Sequence, residues 1–135
     1  MKKTAAWPLA AIYAALIIYA SLYPFQNWRS QGVDWTAFVL APWPRYWTGF
    51  DILSNVLGYA PLGFIVALAL QRSARHLPAV GLTLALGSLL ALGMESLQLF
   101  LPARVPSNID WGLNSAGTLA GAGAAWTLER FGFLD

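Results

Sequence analysis

Three carboxylates, Asp51, Glu95 and Asp110, stand in a chain of 135 residues of which only 10% are charged. Two of them sit in matching surroundings. "RYWTGFDILSNVLG" (45–58) and "RVPSNIDWGLNSAG" (104–117) align without gaps as R-x2-[S/T]-x2-D-x3-N-x2-G. Asp51, Asn55 and Gly58 share one helix face at i, i+4 and i+7, and Asp110, Asn114 and Gly117 repeat the stripe. Glu95 and Gln98 are spaced i, i+3 and fall on one face of their own helix. Arg45 and Arg104 open the two copies. These types support three chemistries. Guanidinium groups beside helix N-termini bind phosphate. Carboxylates hold a hard cation or share acid–base work. Acids, amides and arginines can also simply tie helices together.

The elements that position these groups follow from where charge is missing. Hydrophobic residues make up 58% of the chain, more than a soluble domain of this size can hide. Uncharged windows run over 4–28, 52–71, 76–94 and 111–128, each near the length that crosses a bilayer. The expected fold is all-α: one domain over 1–135, a polytopic bundle of four transmembrane helices at about 6–24, 50–71, 77–100 and 109–130. Lys2 and Lys3 before an apolar run resemble a signal peptide, but the run is long and lacks a small-x-small site, so an uncleaved first helix is expected. Residues 25–49 hold four of the seven tryptophans. Gly32, Pro42 and Pro44 break this stretch, which reads as an interfacial aromatic segment between helices 1 and 2, with a short amphipathic piece around 34–40. Lys2, Lys3, Arg72, Arg75 and Arg130 against Arg29, Arg45 and Arg104 place both termini in the cytoplasm.

Thr48 and Ser107 suit helix N-caps, with Asp51 and Asp110 three residues on as in a capping box. Pro61 removes the bond to the carbonyl of Leu57. Gly117 and Gly121 have the spacing of close helix packing. The absence of cysteine removes disulfides and thiol chemistry, and the single histidine, His76, removes histidine-cluster metal sites. The basic residues are scattered, which argues against nucleic acid as a partner. No cofactor is expected.

"DILSNVLGYAPLGF" (51–64), "MESLQLFLPAR" (94–104) and "SNIDWGLNSAGTLAG" (107–121) together resemble the VanZ-like family. The resemblance implies a small bacterial protein of the cytoplasmic membrane. It also implies a link to glycopeptide resistance, since the family's namesake confers low-level teicoplanin resistance.

The expected site is therefore outer-facing and built from Arg45, Asp51, Asn55, Glu95, Gln98, Arg104, Asp110 and Asn114. Ionisable residues inside apolar segments usually face a bundle interior or a wet cavity. The leading expectation is binding of an anionic lipid headgroup or a cell-wall precursor. The alternatives are a carboxylate- or metal-dependent membrane enzyme using Asp51, Glu95 and Asp110 on a phosphorylated lipid, or a purely structural polar cluster. The lipid bilayer is the partner expected in every case, and a homo-oligomer is left open.

Overall fold

The computed structural model describes residues 3–42 and 48–134. Five α-helices form among them: α1 (Ala6–Leu22), α2 (Trp35–Val39), α3 (Gly49–Ser73), α4 (Ala79–Gln98) and α5 (Asn108–Arg130). The four long helices make one bundle, and α2 falls inside the 34–40 stretch.

The all-α character stands, but the count of four transmembrane helices does not. Among the described residues, only α3 and α4 are long and apolar enough to cross a bilayer. α1 has 17 residues, about 25 Å at 1.5 Å per residue, against about 30 Å of hydrocarbon. It stops before Pro24, because the residue preceding a proline is pushed out of helical geometry. α5 has 23 residues but carries Asn108, Asp110, Asn114, Ser115 and Thr118 among many glycines and alanines. A window free of charge is not thereby helical over its whole length, as in α1, nor apolar, as in α5, and these two differences produced the extra spans.

Side-chain bonds fix the helix directions. Trp7 at the start of α1 donates to Ser73 at the end of α3, and Tyr13 donates to the Gly58 carbonyl, so α1 and α3 are antiparallel. On α4, Ser88 accepts from Trp111 of α5 and pairs with Ser115, and Glu95 lies by Ser107. α4 and α5 are therefore antiparallel too. α3 and α5 run side by side in the same direction. A Cβ on Gly117 would collide with the Val56 carbonyl, and one on Gly121 with the Ala60 carbonyl. Glycine alone allows this backbone approach. At Thr118, fully buried on α5, three helices meet, since both Gly63 of α3 and Gly87 of α4 press on it. α3 continues through Pro61 without interruption.

Large apolar side chains lie on the outside of the bundle as well as in its core. Leu9, Ile12 and Leu16 of α1, Phe50, Leu53 and Leu57 of α3, and Leu86 and Leu89 of α4 are exposed at helical spacing. The buried set includes Ala67, Ala91, Ala122, Thr83, Thr118, Glu95 and Asn114. Exposed leucine and isoleucine at helical spacing suit a lipid solvent, and the core mixes Leu62, Val66, Leu70, Met94 and Leu101 with small and polar residues that let helices approach closely.

The bundle has two distinct ends. One gathers the start of α1, the α3–α4 turn and the end of α5, where Arg72 meets Glu129 at 3.7 Å. The other holds α2 and the α4–α5 connection. α2 is fastened there by Trp35 Nε1 to Ser96 Oγ (2.8 Å) and by Asn108 Nδ2 to the Ala41 carbonyl (2.7 Å). The preceding strand of chain is held by Arg29 N to the Phe100 carbonyl and Gln31 Nε2 to the Leu99 carbonyl.

Candidate functional site

At this second end the four long helices enclose a cavity of about 480 Å³. α3 contributes Asn55, Gly58 and Tyr59, and α4 contributes Glu95 and Gln98. α5 contributes Asp110 and Asn114, α1 contributes Ile17, Ala20 and Ser21, and Arg104 comes from the α4–α5 connection. Six of the eight residues singled out in the sequence line it. Asp51 does not, and Arg45 lies outside the described residues.

Asp51 is occupied by its own helix end. Thr48 Oγ1 accepts from Asp51 N (3.1 Å), and Asp51 Oδ2 accepts from Thr48 N (2.8 Å), a complete capping box. The second copy begins the same way: Ser107 Oγ accepts from Ile109 N and Asp110 N. There the likeness ends. The N–H of Ser107 goes to Glu95 Oε2 at 2.8 Å, so α4 supplies the acceptor that Asp51 supplies in α3. Asp110 is released from capping. Its Oδ1 accepts instead from Asn55 Nδ2 at 3.3 Å, across the α3–α5 contact. Asn55 also donates to the Asp51 carbonyl at 2.8 Å. Asp110 lies on α5, outside the two apolar spans. Burial raises its carboxyl pKa above the ordinary value, and the nearby charge of Asp51 adds to the rise.

Arg104 and Gln98 face the end of α1. Arg104 donates through Nε to the Tyr23 carbonyl (2.8 Å) and through Nη2 to the Ala20 carbonyl (2.7 Å), and Gln98 Nε2 donates to the Ser21 carbonyl (2.8 Å). The Tyr19 carbonyl accepts from Tyr23 N and the Leu22 carbonyl from Phe25 N. All four carbonyls that a helix end leaves without intrahelical partners are thus satisfied, and the guanidinium stands where the helix dipole favours positive charge. Arg104 meets no carboxylate: among the described residues the one salt bridge is Arg72–Glu129, at the opposite end.

Two side chains in the wall are unspent. Asn114 and Tyr59 are each 5% exposed, and neither Asn114 Oδ1 nor the Tyr59 hydroxyl has a partner among the described residues. Buried polar atoms are nearly always paired; Gln71 Oε1, Thr83 Oγ1 and Glu129 Oε2, away from this cavity, are likewise without a partner among the described residues. Glu95, 4% exposed, stands in the same wall. Tyr59 was missing from the sequence-derived set, although it lies at i+4 from Asn55, on the stripe begun by Asp51. The metal alternative gains no footing, since among the described residues no group of three acidic or histidine side chains could hold an ion.

A family model described as VanZ/LLP1 matches residues 6–129 of the chain. No curated protein and no solved structure matches it.

Proposed function

Because the chain belongs to the VanZ/LLP1 family of bacterial membrane proteins, we propose that it is a membrane-embedded binding protein whose cavity receives the polar headgroup of an envelope lipid or of a lipid-linked cell-wall precursor. One observation carries the reading. A cavity of about 480 Å³ in a bundle with a lipid-suited exterior is walled by buried Tyr59 and Asn114, whose hydroxyl and Oδ1 have no partner among the described residues. Purely structural polar groups would be expected to satisfy one another, because an unmade bond in such surroundings costs about 1–3 kcal/mol. The α3–α4 turn, with Arg72 and Arg75, faces the cytoplasm by the positive-inside rule, and the cavity lies at the opposite end of the two spans. The tie to teicoplanin resistance expected from the family resemblance is read the same way, as capture of a precursor or lipid at the outer surface.

Gln98 and Arg104 take a second, structural part. Arg104 Nε and Nη2 and Gln98 Nε2 hold the carbonyls of α1, so these side chains also shape the cavity wall.

The test uses Gly58. It lines the cavity, and a Cβ there meets nothing within 4 Å. Gly58→Leu fills space without displacing any polar group and replaces a poor helix former by a good one. Lipid extracted from the purified protein and identified by mass spectrometry should include a headgroup species bound near one per chain in the wild type and absent from Gly58→Leu. Equal lipid content in a variant that remains folded would refute the proposal.

A further inference from the structure

A second cavity, of about 280 Å³, lies between α1, α3 and α4. It continues the polar one toward the middle of the spans. On α1, Ala10 and Ala14 line the second cavity and Ile17 and Ser21 the polar one, at i, i+4, i+7 and i+11. On α3, Val66 and Leu62 lead to Tyr59 and Asn55 in the same way. Residues so spaced share a helix face. Ala14 and Ile17, like Leu62 and Tyr59, are three residues apart, so about 5 Å of rise separates the two linings. On α4, buried Ala91 and Met94 come between Leu90 of one cavity and Glu95 of the other, and methionine is the most adaptable of apolar side chains. Resting on the headgroup reading, we infer that the second cavity holds one acyl chain of the same phospholipid, so that the lipid is gripped inside the bundle beneath α1 rather than along its outer surface.

The lining names the occupant. Its polar atoms are withdrawn from the space: Trp7 Nε1 donates to Ser73 Oγ at 2.9 Å, and Thr83, 1% exposed, keeps its hydroxyl oxygen shut within the protein. Alanine, glycine, valine and leucine make up the rest. An apolar cavity stays dry and takes apolar matter. The volume equals about nine waters at ~30 Å³ each, room for a length of one chain, whereas a helix about 10–12 Å across does not fit beneath α1. Ala11 and Leu86 of the lining are exposed, so the space opens sideways to lipid between α1 and α4. Polarity along the two cavities runs in the order of a lipid in its leaflet: Glu95, Arg104 and Asp110 at the end of the spans, then apolar lining alone at greater depth. An amphiphile matches both halves, and neither a free headgroup nor a plain hydrocarbon does.

The experiment is photolabelling of the full chain in bilayers of phosphatidylethanolamine and phosphatidylglycerol, a small fraction of each carrying a diazirine midway along one acyl chain. Adducts are located by peptide mass spectrometry. Outward residues such as Leu9, Ile12 and Leu16 are labelled by any surrounding lipid. The inference predicts further adducts on Ala10, Leu62 and Val66, which are buried and line the second cavity. Ala14→Leu fills that cavity and should lose these inner adducts while keeping the outward ones; their persistence in a folded variant overturns the inference. The wild-type map decides the question even if Ala14→Leu does not fold. Label confined to outward residues, with the headgroup species still lost from Gly58→Leu, overturns the chain site and leaves headgroup binding standing. Inner label undiminished in folded Gly58→Leu overturns the headgroup reading, and with it the claim that chain and headgroup belong to one lipid. Outward label alone, with equal lipid content in Gly58→Leu, overturns both.

Discussion

The backbone N–H of Ser107 is where the two copies of the repeat part company. In the first copy the equivalent amide, that of Thr48, bonds to Asp51; in the second it bonds to Glu95, and Asp110 is left for the cavity. Residue type and spacing made the stripe legible, including both caps. They could not say which aspartate would be used as a cap, because that depends on a glutamate brought in by another helix. Arg104 was misleading for a similar reason. A guanidinium beside a helix N-terminus reads as a phosphate ligand, yet its partners are main-chain carbonyls of α1, which leave no mark in the sequence. Two substitutions separate these roles. Thr48→Ala removes a cap remote from the cavity wall and should cost about 1 kcal/mol of stability without changing lipid retention. Arg104→Ala uncovers the Ala20 and Tyr23 carbonyls and should cost about 2 kcal/mol, as expected for bonds to a charged donor. Thermal unfolding in one detergent checks both, and an Arg104→Ala variant as stable as wild type would contradict the capping role.

Among the elements, α3 and α5 form the closest pair, and glycine makes it so. Gly117 and Gly121 bring α5 onto the carbonyls of Val56 and Ala60, and this contact carries Asp110 to Asn55. The close-packing signal was readable from the spacing of the two glycines, and the short helix within 34–40 from its composition. The number of spans was not. Absence of charge marks where a helix can enter lipid, but α1 ends early at Pro24 and α5 spends its length on small and polar residues that serve its neighbours. Gly121→Ala should destabilise the bundle by about 1–3 kcal/mol, because the new methyl meets backbone that cannot step aside. Gly123→Ala, two residues on and facing open space, should stay within about 0.5 kcal/mol of wild type. Unfolding midpoints of the pair check the assignment, and equal losses would mean that α3 and α5 do not approach along this line.

At the scale of the whole molecule, polarity is divided between the ends. The termini end carries the Arg72–Glu129 pair and the exposed loop with Arg75 and His76. The far end carries the cavity, and α2 is tied to the same end through Trp35 and Ser96. α4 is one of the two spans and lies between His76 and Pro106, so topology reporters fused at those positions should register opposite sides of the membrane, with His76 cytoplasmic. Reporters on the same side would remove α4 as a span. The central claim is that the cavity houses a headgroup, and a crystal structure grown from a lipidic mesophase containing phosphatidylethanolamine tests it most directly. The account predicts density that runs from the lipid-facing surface into the cavity and ends within hydrogen-bonding distance of polar side chains of its wall, among them Asn114, Glu95 and Asp110. A cavity holding water alone, with Asn114 and Tyr59 satisfied by that water, would contradict it.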